Sequence, residues 1–109
     1  AANTKFVHIF RQGLAGAQAN LGALYYDPEA PGHDPEKARI WFERAAEQGF
    51  APAMTNLGHL YSKGAGMPAD LAKALHWYRR AAERGDSAAQ NSLAFMYLGN
   101  GVEKDLQHA

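Results

Sequence analysis

The residues of this 109-residue chain best suited to chemistry are five histidines, three serines and two Gly-x-Gly loops. Imidazoles that share a metal ion from one helix stand three or four residues apart, so that one face presents both nitrogens. His8, His33, His59, His76 and His108 have no such His or Cys partner and fall in different segments, which leaves no metal signature. A serine nucleophile on a sharp strand-to-helix turn needs the Gly-x-Ser-x-Gly frame, and Ser62, Ser87 and Ser92 lack it. Ser87, beside Asp86, reads as a helix cap. The loops at Gly64 and Gly66 and at Gly99 and Gly101 lack the Lys-Ser/Thr pair that completes a phosphate-binding loop. Without cysteine, thiolate nucleophiles, disulfides and sulfur-ligated metals are excluded together. The carboxylates of Asp34 and Asp70 are accounted for as caps. The expectation is no catalytic residue, no metal and no cofactor.

Lys plus Arg equals Asp plus Glu at 11 each, so no net field draws the chain to nucleic acid or to an anionic membrane. The stretch Phe6 to Phe10, broken by His8, is far short of the ~20 apolar residues that cross a bilayer. As given, the chain reads as soluble. Ala1 and Ala2 are the small residues found beside signal-cleavage sites, and the compartment, cytoplasmic or exported, stays open. Richness in alanine, glycine and arginine reads as bacterial.

The elements that must position these side chains come from an internal repeat. Leu14 to Gly49 written above Phe50 to Gly85, with no gap, gives 16 identities in 36 positions. A third copy starts in register at Ala89, Leu93 and Tyr97, loses a loop residue, and runs through Asp105 to Ala109 without a second helix. Residues 4–12 align with the second helix of an earlier copy, because Gly13 stands 36 before Gly49, and residues 1–13 are expected to form a degenerate capping helix. The domain therefore divides as 1–13, 14–49, 50–85 and a partial repeat 86–109.

Within a copy, Ala53, Leu57, Leu60 and Tyr61 form one helical stripe, and Ala74, Trp77, Tyr78 and Ala81 form another. These predict helices over about 51–62 and 71–84. Gly58, Ala74 and Ala81 let backbones approach while Tyr61 and Trp77 fill the gaps. Asp34 with Pro35, and Asp70, start helices; Gly49 and Gly85 end them. Arg39 with Glu43 and Arg79 with Glu83 are opposite charges one turn apart, on a solvated face that includes Arg80 and Arg84.

The pattern Ala-x-x-x-Leu-Gly-x-x-Tyr, a Gly-x-Gly loop, then Asp-x-x-Lys-Ala-x-x-Trp-Tyr-x-x-Ala-Ala-x-x-Gly resembles the Sel1-like repeat, a relative of the tetratricopeptide repeat. The match is fullest over Ala53 to Gly85. Over Ala17 to Gly49 it departs only in a proline-rich loop, and over Ala89 to Ala109 it is partial. The resemblance implies an all-α, right-handed α-α solenoid whose first helices line a concave surface used to grip a peptide or partner domain. It implies no active site. Some cysteine-rich relatives are discussed as acting on cell-wall or β-lactam ligands, but their paired cysteines are missing here, which disfavours a hydrolase or small-ligand binder.

Tetratricopeptide-like geometry assigns the concave face to Ala19, Ala23 and Tyr26, then Thr55, His59 and Ser62, then Asn91, Phe95 and Leu98. Of these, Tyr26, Thr55, His59, Ser62, Asn91, Phe95 and Leu98 are the expected partner-binding residues. Phe95 supplies an aromatic anchor unless it packs against a neighbouring helix. Asn20 and Asn56 recur without the lysines that capture of a free C-terminus requires, and read as inner-face hydrogen-bonding groups. The third repeat leaves Leu93, Met96 and Tyr97 short of cover, so the chain is either a piece of a longer array or self-associates at that end. The main expectation is a protein-interaction scaffold; the runner-up is a structural spacer.

Overall fold

Two aspartates set the helix starts in the first two repeats. In the computed structural model, which describes residues 2–65 and 67–99, the side chains of Asp34 and Asp70 accept the amides of Lys37 (3.2 Å) and Lys73 (3.1 Å). Such a cap is worth about 1 kcal/mol. They open α2 (Pro35–Glu47) and α4 (Leu71–Glu83). Both helices close alike. Gly49 at φ +90° and Gly85 at φ +91° turn the chain through the left-handed region, where a Cβ is strained. The amides of Gly85 and Asp86 then bond the carbonyls of Ala82 (2.9 Å) and Ala81 (3.1 Å), and those of Gly49 and Phe50 bond Ala46 and Ala45 in the same way.

The remaining helices are α1 (Ala2–Tyr26), α3 (Ala51–Lys63) and α5 (Ser87–Gly99). No strand occurs among the described residues. Asp86 caps α5, its carboxylate accepting the Ala89 amide at 3.0 Å, so Ser87 is the first helical residue and not the cap expected of it. The separate helix expected over 1–13 is also corrected. α1 runs unbroken for 25 residues through Gly13. Phe50-Ala51-Pro52 and Asp86 follow the other two glycines with a proline or a capping carboxylate, whereas Leu14-Ala15-Gly16 offers neither. Nothing restarts the helix, so it continues, and Gly13 is carried at about 1 kcal/mol relative to alanine. The stretch through Asp105 to Ala109, with His108, lies outside the described residues.

α1 packs on α2 and α3 on α4 as helical hairpins; α2 against α3 and α4 against α5 join them. The array is a slab of 47 × 40 × 17 Å, its shortest dimension that of two packed helices. Its core alternates alanines, such as Ala38, Ala45, Ala53, Ala74 and Ala81, with Phe42, Met54, Leu57, Leu60 and Tyr78. Large does face small: Trp77 is partly buried against the core, and Tyr78 is the ring that meets the glycine. A Cβ on Gly58 would stand 2.4 Å from the Tyr78 ring, and one on Gly22 would stand 2.7 Å from Phe42. Trp77 and Trp41 are half-buried beneath the guanidinium groups of Arg80 (5.1 Å) and Arg44 (4.8 Å). The residue after each tryptophan, one helical step round, is the one that meets the glycine.

The proline-rich first loop and the glycine-rich second loop close on one shared bond. The amides of Asp34 and Asp70 reach the carbonyls of Tyr25 and Tyr61, each at 2.8 Å. Of the two expected ion pairs, Arg39–Glu43 forms at 2.7 Å. Arg79 donates instead to the Tyr97 hydroxyl on α5, at 3.1 and 3.2 Å, and makes no pair with Glu83. One repeat earlier Tyr61 donates to Glu43 at 3.3 Å, so positions 43 and 79 both tie a second helix to the tyrosine of the next repeat.

Candidate functional site

α3, α4 and α5 enclose a groove of about 610 Å³. Its floor is the ring of Tyr78, brought close by the missing side chain of Gly58. The Tyr78 hydroxyl lies 2.7 Å from His59 Nδ1, and the two rings meet edge to face at 5.4 Å between centroids. α3 contributes His59, Ser62 and Lys63, and α4 contributes Leu71 from its first turn. α5 adds Asn91, Ser92, Phe95 and Met96. The groove thus mixes apolar side chains with hydroxyl, amide, ammonium and imidazole groups.

Burial holds the His59 imidazole below its ordinary value of 6.5, helped by the Lys63 ammonium and opposed by Asp86. A neutral imidazole can accept from the Tyr78 hydroxyl. Burial likewise raises the Tyr78 phenol above its ordinary value of 10, opposed by the nearby hydroxyls of Ser62 and Ser92. Both groups stay uncharged near neutrality and act as hydrogen-bonding surface.

Four of the seven expected contact residues, His59, Ser62, Asn91 and Phe95, meet at this groove. Phe95 is 70% exposed and does not pack against a neighbouring helix. Leu98 is 76% exposed beside it, outside the groove lining. Tyr26 belongs to the preceding repeat, half-buried and edge-on to Phe42. Thr55 is a correction. It is 4% exposed, and its hydroxyl donates to the Asp86 carboxylate at 2.6 Å, because the next repeat enters directly over it. Ala19, aligned with Thr55, is buried too. Met96, expected to want cover, is 3% exposed because α5 turns it into the core; Leu93 and Tyr97 are half-buried. Among the hydrogen bonds between described residues, none uses the side chain of Asn20, which is exposed, or Asn56, which is half-buried.

Sequence reasoning missed Tyr78, Leu71, Lys63, Ser92 and Met96. The stripe places Tyr78 in the core, and Leu71 and Lys63 flank a loop whose path brings them together. Comparing Ser62 with its equivalent Tyr26 was the available signal, since a small residue where the other repeat has a ring leaves space.

Among the described residues no cluster of three His, Asp or Glu side chains could hold a metal, and no helix is long and apolar enough to cross a membrane. The family model described as Sel1 repeat matches residues 15–50, 51–86 and 87–109. The chain belongs to the Sel1 repeat family. The crystal structure of a Sel1 repeat protein from Oxalobacter formigenes is similar, with TM-score 0.73 and 36% identity over 79% of this chain and 35% of that one. A second crystal structure, of a protective antigen present in uropathogenic Escherichia coli strains and displaying an SLR fold, gives TM-score 0.75. It is 36% identical over 82% of this chain and 19% of that one. This chain thus spans well under half the length of either. Both are bacterial, in keeping with the composition. No curated protein matches the chain. Sel1 repeats form helical solenoids that generally mediate protein–protein interaction, and theirs is in general a non-catalytic scaffold family.

Proposed function

We propose that this chain is a protein-interaction scaffold that binds a peptide or partner domain through the groove between α3, α4 and α5. The observation that carries the reading is the exposed Phe95 beside a groove whose other residues offer ordered hydrogen-bonding groups. An apolar surface of that kind, rimmed by polar groups, is where an aromatic anchor dominates binding. The groove has the volume of an ordinary ligand site, roughly 300–1,000 Å³. His59, Ser62 and Asn91 supply orientation, and Phe95 and Leu98 supply contact area.

The test is selection of a random peptide library on the native chain and on an Asn91→Lys, Phe95→Glu variant of equal helical content. Both substitutions are at exposed positions. Peptides enriched by the native chain and lost on the variant are the expected result. Enrichment of nothing, or of peptides that hold both proteins equally, would put the structural-spacer reading ahead.

A further inference from the structure

We propose that α1 pairs antiparallel with α1 of a second copy of this chain, through an apolar stripe that runs along the helix. The pairing is independent of the groove, none of whose lining residues lies on α1.

α3 packs between α2 and α4, whereas α1 packs on α2. The gapless alignment of the repeats pairs Ala17, Leu21 and Leu24 with Ala53, Leu57 and Leu60. On α3 all three are 0% exposed; on α1 Leu21 and Leu24 are 38% and 63% exposed, and Ala17 is exposed as well. The face that α3 buries is therefore present on α1 and open.

A preceding repeat of the same kind would place its second helix at residues 4–12, and the sequence there does not suit that position. Val7 stands where Glu43 and Arg79 hydrogen-bond to the tyrosine of the next repeat, a bond that valine cannot make. Ile9 and Phe10 stand where the later copies have paired alanines, of which Ala45, Ala46 and Ala81 are wholly buried. Residues of that size would overpack such a contact. The helix also continues through Gly13, where Gly49 and Gly85 turn the chain.

The same segment suits a different neighbour. Val7, Leu14 and Leu21 recur every seven residues and are all exposed, and Leu24 follows Leu21 by three. Phe10 and Ala17 keep that three-residue step after Val7 and Leu14. Alternating steps of three and four are the seam of a helix pair. From Val7 to Leu24 the seam is about 25 Å long, whereas a 13-residue helix such as α2 or α4 reaches about 20 Å. Among the described helices α1 alone has the length to match it. Charge sets the direction. Lys5 and Arg11 are the charged residues of α1. A parallel pair would hold the two Arg11 side by side. In an antiparallel pair centred on the stripe, Val7 meets the partner's Leu24 and Leu14 meets the partner's Ala17. The two Arg11 then stand nine residues apart along the axis, about 13 Å, beyond a Debye length of roughly 8 Å. The patch is self-complementary about a two-fold axis, and the pair carries the groove twice.

Sedimentation equilibrium over micromolar to millimolar concentration should give a mass that rises from 11.9 kDa towards twice that value. Leu21→Glu with Leu24→Glu, both at exposed positions, should hold the mass at one chain with helical content unchanged. Phe95→Glu with Leu98→Glu, at the other end of the array, should leave the dimer intact. The chain has no cysteine, so introduced thiols read the direction. Val7→Cys with Leu24→Cys should oxidise to a covalent dimer, and Val7→Cys alone should not. A one-chain mass at every concentration, a dimer that survives the Leu21→Glu, Leu24→Glu change, or ready crosslinking by Val7→Cys alone would overturn the pairing. So would a disulfide closed within one chain, which would show that the start of α1 folds back over its own Leu24. If the glutamate variant does not fold, the mass of the native chain and the crosslinks decide.

Discussion

Adding one methyl group at Gly58 is expected to destabilise the chain, whereas the same methyl group at Gly13 stabilises it. A Cβ on Gly58 would lie 2.4, 2.5 and 2.8 Å from Cε1, Cδ1 and Cζ of Tyr78. Carbon atoms rest at about 3.5–4.0 Å, so ring or helix must give by roughly 1 Å. Tyr78 is only 2% exposed and is hydrogen-bonded to His59, which leaves it little room. Helix propensity alone favours alanine by about 1 kcal/mol, while overpacking costs about 1–3 kcal/mol, and a displacement this large belongs at the upper end. Gly58→Ala should therefore lose roughly 1–2 kcal/mol. At Gly13 a Cβ meets nothing within 4 Å, so Gly13→Ala should keep a gain of about 0.5–1 kcal/mol. Urea unfolding followed by circular dichroism reads both, with unchanged slope and shifted midpoints. In a Tyr78→Ala background the Gly58→Ala penalty should vanish. Equal stability of the two variants, or a penalty that survives removal of the ring, would refute the packing argument. Loss of stability in Gly13→Ala would refute the continuous α1, since alanine is strained at a left-handed helix end.

Asp86→Ala removes the cap on the Ala89 amide and the acceptor of the Thr55 hydroxyl together, and should cost about 1–3 kcal/mol. Asp86→Asn should lose less because its amide oxygen can still accept, and thermal unfolding of the pair would show whether that order holds. His59 predicts a pH dependence. With its folded-state value held below 6.5, the unfolded chain takes up the proton first as pH falls. The stability associated with the neutral ring is fully present above pH 6.5 and declines from there until the folded-state value is passed. His59→Gln should flatten that limb in urea midpoints taken across mildly acidic pH, and an unchanged slope would show that other groups cause it.

The repeat and its helix ends were legible because they depend on local rules. Asp34, Asp70, Gly49 and Gly85 are recognisable from residue type and neighbours alone. What the sequence hid was direction. Trp77 and Tyr78 are adjacent large aromatics on one stripe, and only the crossing angle of α3 and α4 decides which of them meets Gly58. Thr55 falls on the first-helix face expected to be open, yet the entry to the next repeat covers it. Gly13 carried the right residue for a helix end without the restart signal that must follow. The groove was half legible: His59, Ser62, Asn91 and Phe95 lie on first helices at predictable spacing, while Tyr78 and Leu71 arrive from the second helix and Lys63 from the last residue of α3.

The two junctions between repeats are built from different materials. At the first, the Phe50 ring lies against Gly16, 3.8 Å from where a Cβ would stand; at the second, the Asp86 carboxylate holds the Thr55 hydroxyl at 2.6 Å. Apolar contact weakens on cooling and is strengthened by excluded salts, whereas a charge-assisted hydrogen bond does not follow that temperature course. A chain of units with one shared fold therefore has joints of unequal character. Cooling therefore weakens the Phe50 contact more than the Asp86 bond, while the hydrogen bonds from Tyr61 to Glu43 and from Arg79 to Tyr97 still tie both junctions.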